Sequence, residues 1–186
     1  MSLLWIRHGE KKFKNGKGIA GYSQHDPPLK ENSDTKIHIL GHNIYLNFGI
    51  PDKIVSSPFL RTRETAAKLI QFFRNQYSVE IPMTIDNNIG EFLGWIRPKG
   101  IKADVTRETS NYIQPILGIE RVKDVEERSK KHVEAISKTD KILIITHGIV
   151  IEFITKHLTG KKMHKVKELS GICLSGGKLR EFNLTY

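Results

Sequence analysis

Arg7-His8-Gly9-Glu10 follows directly on the apolar run Leu3-Leu4-Trp5-Ile6. A guanidinium beside an imidazole, with a glycine that lets the backbone turn sharply, makes a place where a phosphate group can sit. The pattern is short, but the chain supplies matching groups farther on. Arg61 comes soon after Ser57-Pro58, an acid stands at Glu91, and a second histidine, His147, again lies between an apolar run and a glycine. Two imidazoles, two guanidinium groups and a carboxyl gathered on one tetrahedral anion would suit phosphoryl chemistry, which depends mainly on positioning and charge stabilisation.

Strands must carry the two histidines to a common edge. Leu3–Ile6 and Lys141-Ile142-Leu143-Ile144-Ile145-Thr146 have the unbroken apolar character of strands buried in a parallel sheet, the second being central. Ligand sites in such sheets collect at the carboxyl edge. Lys53-Ile54-Val55 reads as a short strand, and Val79–Ile85, interrupted by Pro82, as an edge strand. A helix is predicted over about Thr35–Phe48, stopped by Gly49 and Pro51. A longer one should start with Ser57 as N-cap and Pro58 at the first helical position, placing Arg61 in its first turn near the positive end of the helix dipole.

Val122–Ser137 is an amphipathic helix with Val125, Val133 and Ile136 turned inward, and Ile149–Leu158 is a further helix. Ile172-Cys173-Leu174 and Leu179–Leu184 flank Ser175-Gly176-Gly177-Lys178, a hairpin signal. Glu10 to about Ser33, rich in Lys, Gly and Pro, reads as a loop, and Asp86–Pro115, with no sustained period, as an excursion over the sheet edge; specificity would be set in Lys11–Ser33 and Asp86–Pro115.

The 186 residues suit a single domain spanning 1–186 with a proper core. Cys173 is the one cysteine, which excludes an internal disulfide and a cysteine-based metal site and points to a reducing, cytoplasmic or nuclear setting. No apolar stretch approaches the ~20 residues of a membrane span, and Leu3–Ile6 is too short for a signal peptide. Lys and Arg total 30 against 20 Asp and Glu, a formal charge of +10. That balance fits a phosphorylated substrate, an anionic surface or nucleic acid. The basic residues are scattered apart from Lys11, Lys12, Lys14 and Lys17, and no aromatic residues interleave with them as a single-strand-binding surface would require, so nucleic acid is not the expected ligand.

Arg7-His8-Gly9-Glu10, then Ser57-Pro58-Phe59-Leu60-Arg61-Thr62-Arg63-Glu64-Thr65-Ala66, then Glu91 before Phe92-Leu93-Gly94-Trp95, then Thr146-His147-Gly148 resemble, in order, the signature of the histidine phosphatase superfamily. The resemblance implies the phosphoglycerate-mutase-like fold, a three-layer α/β/α sandwich with a mostly parallel central sheet, here with a C-terminal hairpin. It implies His8 as a nucleophile that becomes phosphorylated, Arg7 and Arg61 as clamps on the phosphoryl oxygens, His147 as a further donor, and Glu91 as general acid and base. Asn15, Ser57 and Gly148 would contact the phosphate or orient His8. No metal or other cofactor is implied. The cofactor-dependent mutases of the family carry Arg-His-Tyr-Gly after the glutamate; Glu91-Phe92-Leu93-Gly94-Trp95-Ile96 here favours hydrolysis.

Plainer readings stand beside these. Either histidine alone could be a satisfied strand-end residue. Arg63 fits a solvated helix face, Glu10 fits pairing with a nearby cation, and Phe92 and Trp95 fit lid packing rather than base stacking. Asp26-Pro27-Pro28-Leu29 is similar to the family's Asp-x-Pro-Leu-Thr-x-x-Gly segment, with Lys30 and Ser33 in place of the threonine and glycine. The expected activity is metal-independent hydrolysis of phosphomonoesters, on a phosphorylated small molecule or phosphoprotein; the competing readings are an idle phosphate-recognition module, a mutase and a nucleic-acid binder.

Overall fold

The structure, a computed structural model, describes residues 2–12, 26–92, 121–136, 139–163 and 165–184. A six-stranded sheet runs through it: β1 (Ser2–Arg7), β2 (Lys53–Ser56), β3 (Met83–Ile85), β4 (Lys141–Thr146), β5 (Gly171–Ser175) and β6 (Lys178–Phe182), in the spatial order β3-β2-β4-β1-β5-β6. The first four in that order are parallel, and β5 and β6 add an antiparallel hairpin beside β1. The hairpin turns through Gly176 and Gly177, both at positive φ, as a two-residue turn of matching twist needs.

Side chains alternate between the two faces of the sheet, and each face has its own core. Leu4, Ile6, Ile54, Leu143 and Ile145 pack under α1 (Ser33–Asn47) and α2 (Leu60–Tyr77), which contribute Ile37, Leu40, Ile44, Leu69, Phe72 and Phe73. Leu3, Trp5, Val55, Ile142 and Ile144 pack under α3 (Val122–Ala135) and α4 (Gly148–Thr159), through Val125, Val150, Ile151 and Ile154. This is the expected α/β/α sandwich with a mostly parallel sheet. No helix of the described residues is long and apolar enough to cross a membrane.

Two expectations change. Ser57 does not cap α2: the helix starts at Leu60 with Phe59, in extended conformation, as the capping residue. The Ser57 hydroxyl lies 2.8 Å from the His147 ring and 3.4 Å from the Phe59 amide, so the buried imidazole holds it more closely than the helix does. The predicted strand over Val79–Ile85 shrinks to Met83–Ile85. Pro82 has no N–H for the ladder, although its carbonyl accepts from Ile54 N at 2.9 Å. Ser137 and most of the predicted loop Glu10–Ser33 and of the excursion Asp86–Pro115 lie outside the described residues.

Candidate active site

Parallel pairing of β1 with β4 sets Arg7 opposite Thr146, so the next residues, His8 and His147, leave the sheet side by side. The ladder continues with His8 N donating to Thr146 O at 3.0 Å, and Ser57 N donates to Ile145 O at 2.9 Å, bringing the end of β2 to the same edge. By alternation both histidines face the α2 side of the sheet, as Ile6 and Ile145 do. The imidazole centroids are 5.1 Å apart and both rings are buried.

The His8 ring has a defined tautomer. Its Nδ1 lies 2.7 Å from the Gly9 carbonyl, which only accepts, so Nδ1 carries the proton and Nε2 keeps its lone pair. Burial, then the neighbouring His147 and Arg61, hold the His8 pKa well below its ordinary value, so the ring is neutral. Gly9 is pinned in turn, its N–H donating to Thr65 Oγ1 at 3.1 Å.

Arg61, in the first turn of α2 and only 2 % exposed, reaches the centre of the group. Its Nε donates to His8 Nε2 at 3.1 Å, its Nη2 to Glu91 Oε2 at 3.2 Å and its Nη1 to Asp26 Oδ1 at 3.3 Å. An arginine is unfavourable at a helix N-terminus unless negative charge accompanies it. Asp26, buried at 3 % exposure, supplies that charge and also accepts the Leu60 N–H at 2.7 Å, capping the helix that Ser57 leaves uncapped. Burial raises the Asp26 pKa against the pull of Arg61.

His147 is fully buried. A proton order follows from the donors around it: Phe59 N–H to Ser57 Oγ, the Ser57 hydroxyl to His147 Nε2, and His147 Nδ1–H to Glu91 Oε2 at 3.2 Å. Arg61 Nη2 also lies 3.3 Å from Nδ1, but the carboxylate is the stronger acceptor for that guanidinium N–H. Burial, partly opposed by Glu91, pushes the His147 pKa down to about 4. For Glu91, burial acts upward, but His147 and Arg61 outweigh it and hold the carboxyl well below the usual range.

His8, Glu91, His147, Arg61 and Ser57 thus converge, as the sequence predicts. Arg7 lies on the opposite side of the sheet edge. Its Nη1 donates to Val166 O at 2.7 Å, its Nη2 pairs with Glu168 at 3.5 Å, and its Cδ is 3.5 Å from where a Cβ on Gly148 would stand. Gly148 opens α4 directly after His147. Asn15, Lys14, Lys17 and Trp95 lie outside the described residues. Glu10 pairs with Lys30 and Lys36, as its plainer reading holds. Ser33, standing where the family has glycine, closes its local turn by donating from N and Oγ to Lys30 O.

One atom each from His8, Glu91 and His147 lies within 4.8 Å of the others, close enough to suggest metal ligation. The Arg61 guanidinium is directed at the same three atoms, so a divalent cation would have to displace a buried positive group held by two carboxylates. The chemistry of this donor set favours an anion. Asp26, Arg128 and His132 carry parts of the architecture that the sequence reading did not find. The one signal for Asp26 was its place in the Asp-Pro-Pro turn.

Comparison with known proteins agrees with the fold. The histidine phosphatase superfamily (branch 1) matches over residues 3–175, and the chain belongs to that family. Among solved structures, the alpha-ribazole phosphatase from Shigella flexneri aligns at 17 % identity over 99 % of this chain and 95 % of its own, with a TM-score of 0.65. A phosphoserine phosphatase from Entamoeba histolytica, in complex with 3-phosphoglyceric acid, aligns at 18 % identity over 99 % and 97 %, also at 0.65. A phosphoglycerate mutase from Bacillus anthracis aligns at 17 % over 97 % and 90 %, at 0.64. At these identities the likeness is one of fold. No curated protein matches the sequence.

Proposed function

We propose that the chain is a metal-independent phosphomonoester hydrolase acting through a phosphohistidine on His8. The observation that carries this reading is the His8 tautomer: Nδ1–H is committed to the Gly9 carbonyl, and the Nε2 lone pair points into a cluster of cationic and acidic groups. In the first step Nε2 attacks phosphorus, the bond to the leaving oxygen breaks, and Glu91 delivers a proton to that oxygen. In the second, water attacks the phosphohistidine, its proton passes to Glu91, the N–P bond breaks and inorganic phosphate leaves. Arg61 moves its N–H groups from His8 and Glu91 onto the phosphoryl oxygens, and Arg7, one edge of which is held by Val166 and Glu168, closes over them from the α4 side.

A carboxyl held ionised by Arg61 is a poor acid in the free protein. Bound phosphate changes this by drawing the guanidinium away and by placing negative charge beside Glu91. The required proton arrives either with the substrate as its monoanion or on Glu91 opposite the dianion, and the two descriptions contain the same number of protons. The short Glu91–Ile96 sequence supports hydrolysis over mutase transfer, and the family's phosphatase members support a phosphorylated small molecule or phosphoprotein as substrate. The test is hydrolysis of p-nitrophenyl phosphate at mildly acidic pH with a chelator present. Turnover in the wild type, abolished in His8→Ala, is expected; equal rates in both reject the reading.

A further inference from the structure

Glu91 ends a short turn, Asp86–Glu91, built around the 3₁₀ segment Asn87–Ile89, and polar contacts from α3 and β4 hold it. From α3, Arg128 Nη1 donates to the Asn88 carbonyl at 2.7 Å and Nη2 to the Glu91 carbonyl at 3.3 Å. One helical turn on, His132 is buried between Trp5 and Asp86. The indole N–H of Trp5 donates to His132 Nε2 at 3.1 Å, so His132 Nδ1 carries the proton and gives it to Asp86 Oδ2 at 2.7 Å. The other carboxylate oxygen of Asp86 receives the Asn88 backbone N–H at 2.8 Å and its side-chain amide at 2.9 Å. From β4, Thr146 Oγ1 donates to the Ile89 carbonyl at 2.7 Å.

These bonds fix the two ends of the turn differently. Trp5, His132 and Asp86 anchor its start, while Arg128 alone among these residues contacts the peptide of Glu91 itself. The guanidinium bridges two carbonyls three residues apart, so it fixes the rotation of the main chain from which the Glu91 side chain departs. We propose that Arg128 is a positioning residue for Glu91, holding the backbone of residues 88–91 so that the carboxyl stays at the His147 and Arg61 nitrogens. The inference rests on the reading of Glu91 as the acid. A displacement of about 1 Å at such a group costs on the order of a hundredfold in rate. The described hydrogen bonds of Arg128 go to main-chain carbonyls and its charge also acts on His147, while neither reaches His8, so its loss should damage proton delivery far more than the nucleophile.

Leaving-group dependence separates this role from a general structural one. In Arg128→Met, kcat/KM for an alkyl phosphate should fall about 10- to 100-fold, and for p-nitrophenyl phosphate, whose leaving group needs little protonation, less than about 3-fold. Arg128→Lys keeps the charge but cannot span both carbonyls, and should show the same bias at smaller amplitude; it also decides the matter if the methionine variant does not fold. Equal loss on both substrates, no loss on the alkyl phosphate, or full rescue by lysine overturns the inference. Glu91→Gln is measured alongside. Bias there with none in the Arg128 variants overturns the positioning role and leaves the acid assignment standing, whereas no bias in Glu91→Gln removes the assignment and the inference with it.

Discussion

His8 and His147, 139 residues apart in sequence, meet with ring centroids 5.1 Å apart and planes at 65° because the strands before them pair residue for residue up to Arg7 and Thr146. Both rings are held neutral: each is buried near Arg61, His8 donates Nδ1–H to the Gly9 carbonyl, and His147 accepts from the Ser57 hydroxyl and donates to Glu91.

That neutrality has a thermodynamic cost at low pH. The folded state refuses a proton that each of these histidines accepts, near pH 6.5, in the unfolded chain. Stability should therefore fall as pH drops below about 6.5, before the carboxylates begin to protonate, with His147 alone accounting for roughly 3 kcal/mol by the time its folded pKa of about 4 is reached. Urea midpoints at pH 7 and pH 5 check this. The drop should be shallower in His147→Gln, and identical drops in the two proteins would refute the assignment.

Glu91→Gln should slow alkyl phosphates by about 10²- to 10⁴-fold in kcat/KM and p-nitrophenyl phosphate far less, since only the poor leaving group needs its proton. Steady-state rates across a series of leaving groups test it. A uniform loss across the series would place the acid elsewhere.

Because the Glu91 carboxyl lies well below its usual range in the free protein, the proton must come in with the complex. For an alkyl phosphate with a second pKa of about 6, kcat/KM should decline about tenfold per pH unit above that value. A pH profile flat from 6 to 8 would show that no such proton is required.

Asp26→Ala removes the acceptor of both the Leu60 N–H and the Arg61 Nη1, leaving a buried guanidinium with less negative charge around it. A destabilisation of about 2 kcal/mol is expected, with reduced turnover, and Asp26→Asn should recover part of the stability by keeping an oxygen in place. Chemical denaturation reads this directly; a change under about 0.5 kcal/mol would mean the cap and the pairing contribute little.

Gly171→Ala should be severe. A Cβ there would stand 1.7 Å from the Trp5 carbonyl oxygen, within the β1–β5 pairing behind His8. The loss should reach about 3 kcal/mol or more, seen as a collapse of soluble yield or thermal midpoint. A variant that melts within a few degrees of the wild type would show that the two strands can part.

What could be read from the chain was what local pattern encodes. The apolar runs ending at Arg7 and Thr146 marked the buried strands, and the two following histidines fell where such strands deliver side chains. The N-cap expectation for Ser57 fails because a serine hydroxyl suits a helix start and a buried imidazole equally well, and only the fold shows that the imidazole is nearer. Asp26, Arg128 and His132 escaped notice because their partners lie 35 to 127 residues away, at Arg61, Asn88, Glu91, Asp86 and Trp5. An exposed-looking arginine and histidine on a charged helix carry no local sign that they bond across the sheet edge to a turn.

The position of β1 between β4 and β5 affects how the molecule is made. The segment bearing His8 is synthesised well before its partners, and neither neighbouring strand exists until residues 141–175 have been translated. Until then an apolar ribbon waits without partners, which is the circumstance in which nascent chains depend on holdase protection and fold slowly. The surroundings of His8 are therefore complete only once residues 141–175 have been made, and fragments ending before the hairpin should be inert however well their helices form.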